Sequence, residues 1–310
     1  MEQQYEHYYV PEQSRLPIFA SLSLFLTVTS LGSWLNNIKA DESGGTSASV
    51  FVLSLFFFMA VLYVWFSQVV DENRRGMNSA QLKRSYVWGM GWFIFSEVMF
   101  FAAFFGALWY IRNVALVELS EGPTSEILWN GFKSEWPLMI TPDQAANGAA
   151  AVVKGPAENM SNPGISNWLG WLPFWNTSLL LTSSVTVHFA HTALKNDKKS
   201  GLFGFNSMLG LTVVLGIIFL FVQYAEYAHA YHVGLTLDSG AYGTTFFLLT
   251  GFHGLHVTLG TFMLLVQWLR SVLKGHFTHH DCFGFEAASW YWHFVDVVWV
   301  GLFIFVYLMG

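Results

Sequence analysis

Three pairs of ionisable residues have the spacing of ligands that share one helix face. They are His188 and His191, His253 and His256, and His293 and Asp296. Residues three apart in a helix point the same way, so each pair can coordinate a metal or ligate a haem. Histidine also supplies hydrogen bonds between helices in membranes, and the spacing leaves both interpretations open. In the second pair, Gly251, Gly254 and Gly260 lie beside the histidines and favour close helix packing.

Two carboxylates stand in strongly apolar surroundings. The residues three and four positions from Glu97 are Phe93, Ile94, Phe100 and Phe101. A carboxyl group at such a place predicts either a proton relay or ion site, or a protonated acid that hydrogen-bonds a second helix. Glu226 lies near the end of its apolar segment and is followed by two histidines, which favours a solvated helix end for it.

The segment 276–282, HFTHHDC, holds several residue types that bind zinc. Structural zinc sites usually separate paired ligands by two or more residues, whereas the last four residues here are consecutive. This spacing argues against a zinc site. Cys282 is the one cysteine of the chain, and we expect it to be a free thiol in a loop.

The amino-acid composition indicates what kind of fold must position these histidine and carboxylate side chains. Of 310 residues, 54% are hydrophobic and only 11% are charged, whereas a soluble domain has about 25% charged residues. The net charge of −6 speaks against a nucleic-acid partner, and a single cysteine excludes a disulfide scaffold. These proportions indicate a polytopic membrane protein.

Seven segments are long and apolar enough to cross a bilayer, which needs about 20 residues per helix. They are residues 16–35, 50–70, 86–111, 174–194, 205–227, 242–269 and 287–308. The first fifteen residues are acidic and aromatic, so we expect no cleavable signal peptide. An acidic connection, residues 113–172, is long enough to lie over one face of the membrane.

The basic residues orient these seven spans. With the N-terminus in the cytoplasm, ten of the fourteen Lys and Arg residues lie on the inner side, and the C-terminus is outside. Basic side chains at the inner ends of spans can also bind phospholipid headgroups, although topology alone explains any single one equally well. The candidates for headgroup binding are Arg74, Arg84, Arg270 and Lys274.

Several stretches resemble subunit III of cytochrome c oxidase, a member of the haem–copper oxidases. They are 283–299 (FGFEAASWYWHFVDVVW), 250–260 (TGFHGLHVTLG), 95–101 (FSEVMFF), 175–178 (WNTS) and 223–227 (QYAEY). Their order is that of the family, and the resemblance covers residues 83–112 and 173–310 strongly. Seven helices in two bundles, spans 1–2 and spans 3–7, around a lipid-filled cleft are what the resemblance implies.

The resemblance also implies a role without a redox centre of its own. Family members pack against subunit I, which holds haem and copper, and lie in a complex with subunit II that takes electrons from cytochrome c. They bind phospholipid and support proton uptake into subunit I. For the histidine pairs, the resemblance favours packing and hydrogen bonding over metal binding.

Family positions transfer to this chain residue by residue. Those with a buried polar or proton-related role are Glu97, Glu226, His253, His256, His293 and Asp296, and His7 lies in an N-terminal arm that resembles that of bacterial members. His276 matches a histidine near a lipid headgroup, and Arg270 lies close to the position of a lipid-contacting arginine. Two features depart from the family: the loop 113–172 is longer, and Val70 stands where a basic residue is common.

We therefore expect an all-α subunit III of a terminal oxidase in a bacterial inner membrane. The expected divisions are an arm (1–15), a two-helix bundle (16–70), a cytoplasmic linker (71–85) and a five-helix bundle (86–310) with the outer loop 113–172. The chain itself is expected to bind phospholipid but no metal, with haem and copper in its partner subunits. A quinol oxidase subunit is the close alternative. An independent proton transporter and a haem-binding membrane protein are the more distant ones.

Overall fold

The computed structural model describes residues 13–40, 44–156, 169–278 and 281–309. All secondary structure in these ranges is helical. The helices are α1 (Leu16–Lys39), α2 (Gly45–Arg74), α3 (Ala80–Tyr110), α4 (Leu116–Glu121), α5 (Ser125–Leu128), α6 (Pro142–Asn147), α7 (Leu172–Lys195), α8 (Phe205–His232), α9 (Gly240–Lys274) and α10 (Phe283–Leu302). Two π-helical segments, Ile111–Ala115 and Phe303–Leu308, continue α3 and α10.

Six of the long helices have the length and the hydropathy of a membrane span. They are α1, α2, α3 with its continuation, α8, α9, and α10 with its continuation. The remaining long helix, α7, has 24 residues, but ten of them are Asn, Ser, Thr or His, and these lower its hydropathy below that of the others. Helices also extend into the predicted linker 71–85, since α2 ends at Arg74 and α3 begins at Ala80.

The chain divides into two compact units, and the boundary lies within α3, between Gly89 and Met90. In the first unit, α1 and α2 pair through ring contacts between Phe19 and Phe57 and between Trp34 and Phe51. The side chains that this pair buries are mostly small and polar, namely Ser23, Thr27, Ser30, Ser54 and Val61. Small residues let two helix backbones approach closely, which is how helices associate in lipid.

In the second unit, α10 is the central helix. Its side chains at Phe285, Tyr291, Trp292, Val295 and Trp299 are fully buried. The indole N–H of Trp292 donates to Ser183 Oγ at 3.0 Å, and that of Trp299 donates to Thr177 Oγ1 at 3.0 Å. Both acceptors belong to α7, so the polar side chains of that helix satisfy the buried indoles of α10.

Glycines let α8 and α9 approach the Trp292 ring. A Cβ atom added at Gly260 of α9 would lie 2.9 Å from Trp292 Cε3, and one added at Gly216 of α8 would lie 2.9 Å from Trp292 Cη2. A Cβ atom at Gly254 would meet nothing within 4 Å. The expectation that glycines beside the histidines allow close packing is therefore right for Gly260 and wrong for Gly254.

The connection between α3 and α7 has a defined local structure up to residue 156. Thr141 and Gln144 form a reciprocal capping box at the start of α6. The Asp143 carboxylate accepts hydrogen bonds from the N–H groups of Val152 and Val153 at 2.7 and 2.9 Å. The bond from Val153, together with one from Asn147, lowers the pKa of Asp143 below its usual value.

We expect Gly260→Val to destabilise the protein, because the added carbon atoms must displace a fully buried indole. Overpacking of this kind costs about 1–3 kcal/mol. Gly254→Val is the matched control, since it makes the same change on the same helix in open space. The measurement is the thermal unfolding midpoint in detergent. Equal midpoints for the two variants would contradict the packing described here.

Candidate functional site

A contact between two ionisable side chains of the second unit joins α3 to α9. His256 Nε2 lies 2.8 Å from Glu97 Oε2, and His256 Nδ1 lies 2.6 Å from the carbonyl oxygen of Phe252 one turn earlier. The His256 ring lies roughly parallel to the rings of Phe100 and Tyr291. The Glu97 side chain is 24% exposed and that of His256 only 10%. Glu97 is therefore not the isolated acid that its sequence neighbours suggest.

The second contact of His256 restricts the protonation of the pair. A carbonyl oxygen only accepts, so His256 Nδ1 must carry a proton. Nε2 then either accepts a hydrogen bond from a protonated Glu97 or, as part of an imidazolium, donates one to a carboxylate. In both cases a single proton lies between the two side chains, and the pair is neutral as a whole. A neutral pair is the form that an apolar environment tolerates best.

His253 has very different surroundings from His256, although the two share a helix face. Its ring contacts those of Phe101, Phe219 and Trp299, and the residue is 1% exposed. Neither ring nitrogen has a hydrogen-bond partner among the described residues. In those residues no group of three His, Cys, Asp or Glu side chains has the arrangement of a metal site. The contacts of His253 and His256 thus favour the packing interpretation of this pair.

The pair on α10 acquires a third member from α7. His293 Nδ1 lies 2.9 Å from Ser184 Oγ and 3.6 Å from Asp296 Oδ2. The side chains of Ser184 and His293 are also the polar neighbours of the Asp296 carboxyl group. Asp296 is buried, whereas 42% of the His293 side chain is exposed. Sequence spacing predicted the proximity of His293 and Asp296 but not the contribution of Ser184.

Glu226 is the residue for which the sequence interpretation was wrong. Its carboxyl group is not at a solvated helix end: Oε2 is buried, and the neighbouring polar groups are the Gln223 amide and the Tyr307 hydroxyl. Gln223 in turn accepts a hydrogen bond from Asn176 Nδ2 of α7 at 3.2 Å. Tyr307 comes from the π-helical end of the chain, which no local pattern around Glu226 could indicate. The two following histidines, His229 and His232, are exposed as expected.

The pair on α7 does not act as a pair. His191 Nε2 contacts Glu286 Oε1 at 3.2 Å, whereas His188 is exposed. Lys195 Nζ lies 2.7 Å from the same Glu286 oxygen and 3.6 Å from Cys282 Sγ. No sequence motif indicated this cluster, although the spacing of His191 and Lys195, and of Cys282 and Glu286, places each pair on one helix face.

Cys282 is a buried thiol, and it forms no disulfide with the described residues. Burial, followed by the nearby Glu286 carboxylate, raises the pKa of the thiol above its usual value. A thiol that stays protonated at neutral pH is a poor nucleophile and a poor metal ligand. Of the zinc-type residues in the segment 276–282, His279 and His280 lie outside the described residues.

The residues predicted to bind lipid headgroups lie at helix ends. The Arg270 guanidinium stacks over the Phe277 ring at 4.8 Å and donates to Gln267 Oε1 at 2.8 Å. The backbone N–H of His276 donates to the carbonyl oxygen of Arg270. Lys274, Arg74 and Arg84 are exposed, the first two at the ends of α9 and α2. His7, predicted to be proton-related, lies outside the described residues.

We expect Glu97→Leu to destabilise the protein by about 1–3 kcal/mol, because it leaves His256 Nε2 buried without a partner. Glu97→Gln should cost less, since an amide N–H can still donate to Nε2. The double variant Glu97→Leu/His256→Phe should recover part of the loss, because it removes both polar groups. Thermal unfolding of the four proteins in detergent measures these differences. If Gln is as harmful as Leu, the contact depends on charge rather than on the hydrogen bond.

These observations define a class of protein: a polytopic, helical membrane protein in which polar side chains such as Glu97 and His256 join different helices. The model of the family described as Cytochrome c oxidase subunit III matches residues 6–127 and 165–310. The chain belongs to this family. Residues 128–164, in the connection between α3 and α7, lie outside the match.

Curated relatives agree over the whole chain. It is 34% identical to Cytochrome c oxidase subunit 3 of Papio hamadryas over 312 residues, with 100% of both chains covered. The protein of the same description from Prototheca wickerhamii is 36% identical over 305 residues, with 98% of this chain and 97% of the relative covered. The one from Loxodonta africana is 33% identical over 311 residues, with both chains fully covered. The chain is thus a subunit of a membrane-bound terminal oxidase complex.

Proposed function

We propose that this chain is the non-redox subunit of a proton-pumping oxidase that oxidises cytochrome c and reduces oxygen to water. In this role it stabilises subunit I, binds phospholipid and supports proton uptake, while haem and copper are held by the partner subunits. The observation that carries the proposal is the Glu97–His256 contact. It uses one of the deepest acids and one of the two sixth-span histidines to join helices, which is what a scaffold requires.

Seven membrane spans belong to the same proposal, with α7 as the seventh. The support is that polar side chains of α7 bond to neighbouring helices instead of needing water. Thr186 Oγ1 lies 2.8 Å from Thr212 Oγ1 of α8, and Ser183 accepts the indole N–H of Trp292. A helix whose polar groups are satisfied by protein can lie in the bilayer in spite of a low hydropathy.

Orientation and location complete the proposal. The excess of Lys and Arg in alternate connections supports a cytoplasmic N-terminus and an outer C-terminus. The acidic, aromatic first fifteen residues resemble the arm of bacterial members, which supports a bacterial inner membrane. The exposed basic ends of α2 and α9 supply charges for lipid headgroups.

An independent proton transporter is the second candidate function. It is favoured by the single proton that Glu97 and His256 share, because such a pair can in principle exchange a proton across the contact between α3 and α9. A quinol oxidase is the nearer alternative for the complex as a whole, and it differs only in the electron donor.

Purification from native membranes in a mild detergent tests the assignment. We expect the tagged chain to retain two larger oxidase subunits, with a haem spectrum in that complex. The chain separated from these subunits should show no Soret band. A stoichiometric haem spectrum in the isolated chain would sink the non-redox assignment, and proton movement by the chain alone in liposomes would favour the transporter. The rates at which the complex oxidises cytochrome c and a quinol distinguish the two electron donors.

We further expect Glu97→Gln to leave most oxygen-reduction turnover of the assembled complex intact. The reason is that Glu97 acts in helix packing, and its amide keeps a hydrogen bond to His256. Oxygen consumption of the purified complex, normalised to its haem content, is the measurement. Near-complete loss of turnover in a fully assembled complex would mean that Glu97 lies on the essential proton path.

A further inference from the structure

One face of α10 and its π-helical continuation is exposed from Trp290 to Ile304. Its members follow the helix at spacings of three and four residues and form a stripe that we call the α10 stripe: Trp290, His293, Val297, Val300 and Ile304. The opposite face of the same helix is the buried core of the second unit. A stripe at this spacing can face either lipid or a further helix, and its side chains decide between the two.

The α10 stripe carries a polar group at mid-membrane depth. His293 is the eleventh residue of the 26-residue candidate span Phe283–Leu308, close to the midpoint of the span. Its side chain is 42% exposed. An imidazole facing lipid at this depth is costly, because lipid offers it no hydrogen-bond partner. The exposed part of His293 therefore calls for a cover that supplies one.

A second exposed stripe, on α8, shows what a lipid-facing surface of this protein looks like. Its members are Leu211, Val214, Ile218 and Phe221, all apolar. The α8 stripe has the same helical spacing as the α10 stripe but no polar side chain among these positions. Such a surface needs no hydrogen-bond partner, so lipid can cover it. The α10 stripe differs in containing His293, and this side chain favours protein rather than lipid as the neighbour of α10.

The contacts beneath His293 determine what the neighbour must offer. Nδ1 faces Ser184 and the buried Asp296 carboxyl, neither of whose oxygens has a hydrogen-bond partner among the described residues. Ser184 and Asp296 engage Nδ1 in either tautomer, so Nε2 is the ring nitrogen that remains for a group outside the chain.

We propose that the α10 stripe is the intramembrane docking surface for a transmembrane helix of another oxidase subunit, and that a polar side chain of this helix forms a hydrogen bond with His293 Nε2. The inference rests on the proposed function, since it takes its occupant from the oxidase complex. The complementary group is a hydroxyl or a side-chain amide flanked by apolar side chains, since either of these can donate or accept. Such a contact sets the register of the two helices as well as adding stability.

Site-specific photo-crosslinking in the native complex tests the surface. The photoreactive residue p-benzoylphenylalanine replaces Val297 in one variant and Phe221, at the centre of the α8 stripe, in the control; both native residues are 71% exposed. We expect ultraviolet light to join position 297 to a larger oxidase subunit and position 221 to lipid only. A crosslink from 297 to lipid, to another part of this chain or to a second copy of it would overturn the proposal. So would a subunit crosslink from 221 with none from 297.

A pair of substitutions at His293 tests the hydrogen bond. We expect His293→Phe to raise the fraction of this chain lost from the complex during detergent washing about threefold, which corresponds to the mean strength of such bonds in membranes. His293→Gln should retain the chain nearly as wild type does, because its amide can still donate or accept a hydrogen bond. Equal retention of the Phe variant would refute the bond. If the wild-type chain itself fails to retain larger subunits, the proposed function fails; if it retains them but position 297 gives no subunit crosslink, only the docking surface is wrong.

Discussion

Hydrocarbon offers no hydrogen-bond partner to a polar side chain, and the second unit of this protein is arranged around that constraint. The Ser and Thr hydroxyls of its helices mostly donate to carbonyl oxygens one turn earlier, as Thr212 and Thr250 do. Longer side chains cannot hydrogen-bond to the backbone of their own helix in this way, and several of them bond to other helices. Glu97 reaches His256, and the indoles of Trp292 and Trp299 reach hydroxyls of α7. Each such bond fixes two helices relative to each other, so polar side chains specify the packing.

The same constraint explains why α7 differs from its neighbours. Taken alone, its ten Asn, Ser, Thr and His residues make it the least apolar of the long helices. Ser183, Thr177 and Asn176 hydrogen-bond to Trp292, Trp299 and Gln223, so these polar groups are satisfied within the second unit. The low hydropathy of α7 thus follows in part from the hydroxyl groups that accept hydrogen bonds from the buried indoles of α10. His293 differs from these residues, since 42% of its side chain is exposed.

Much of the fold could be predicted from the sequence because membrane helices depend on local composition. Six predicted spans coincide with long apolar helices. Most of these helices are longer than the predicted spans, because a helix can continue beyond its apolar segment. The His293–Asp296 proximity also follows from spacing on one helix. The partner of Glu97 could not be predicted in this way, since His256 is 159 positions away in the chain. Glu226 was misplaced for the same reason, because Tyr307 comes from the far end of another helix.

By itself, the sequence determined the class of protein, the helical segments and, through the stretches around 250–260 and 283–299, the family. These features reside in composition and in consecutive residues. Only the tertiary structure decided which histidine meets Glu97, which one lies unbonded among aromatic rings, and which one is exposed over a buried carboxyl. Three histidines of similar sequence context acquired three different environments. The physical reason is that spacing determines which side chains share a helix face, whereas packing between distant helices determines what that face contacts.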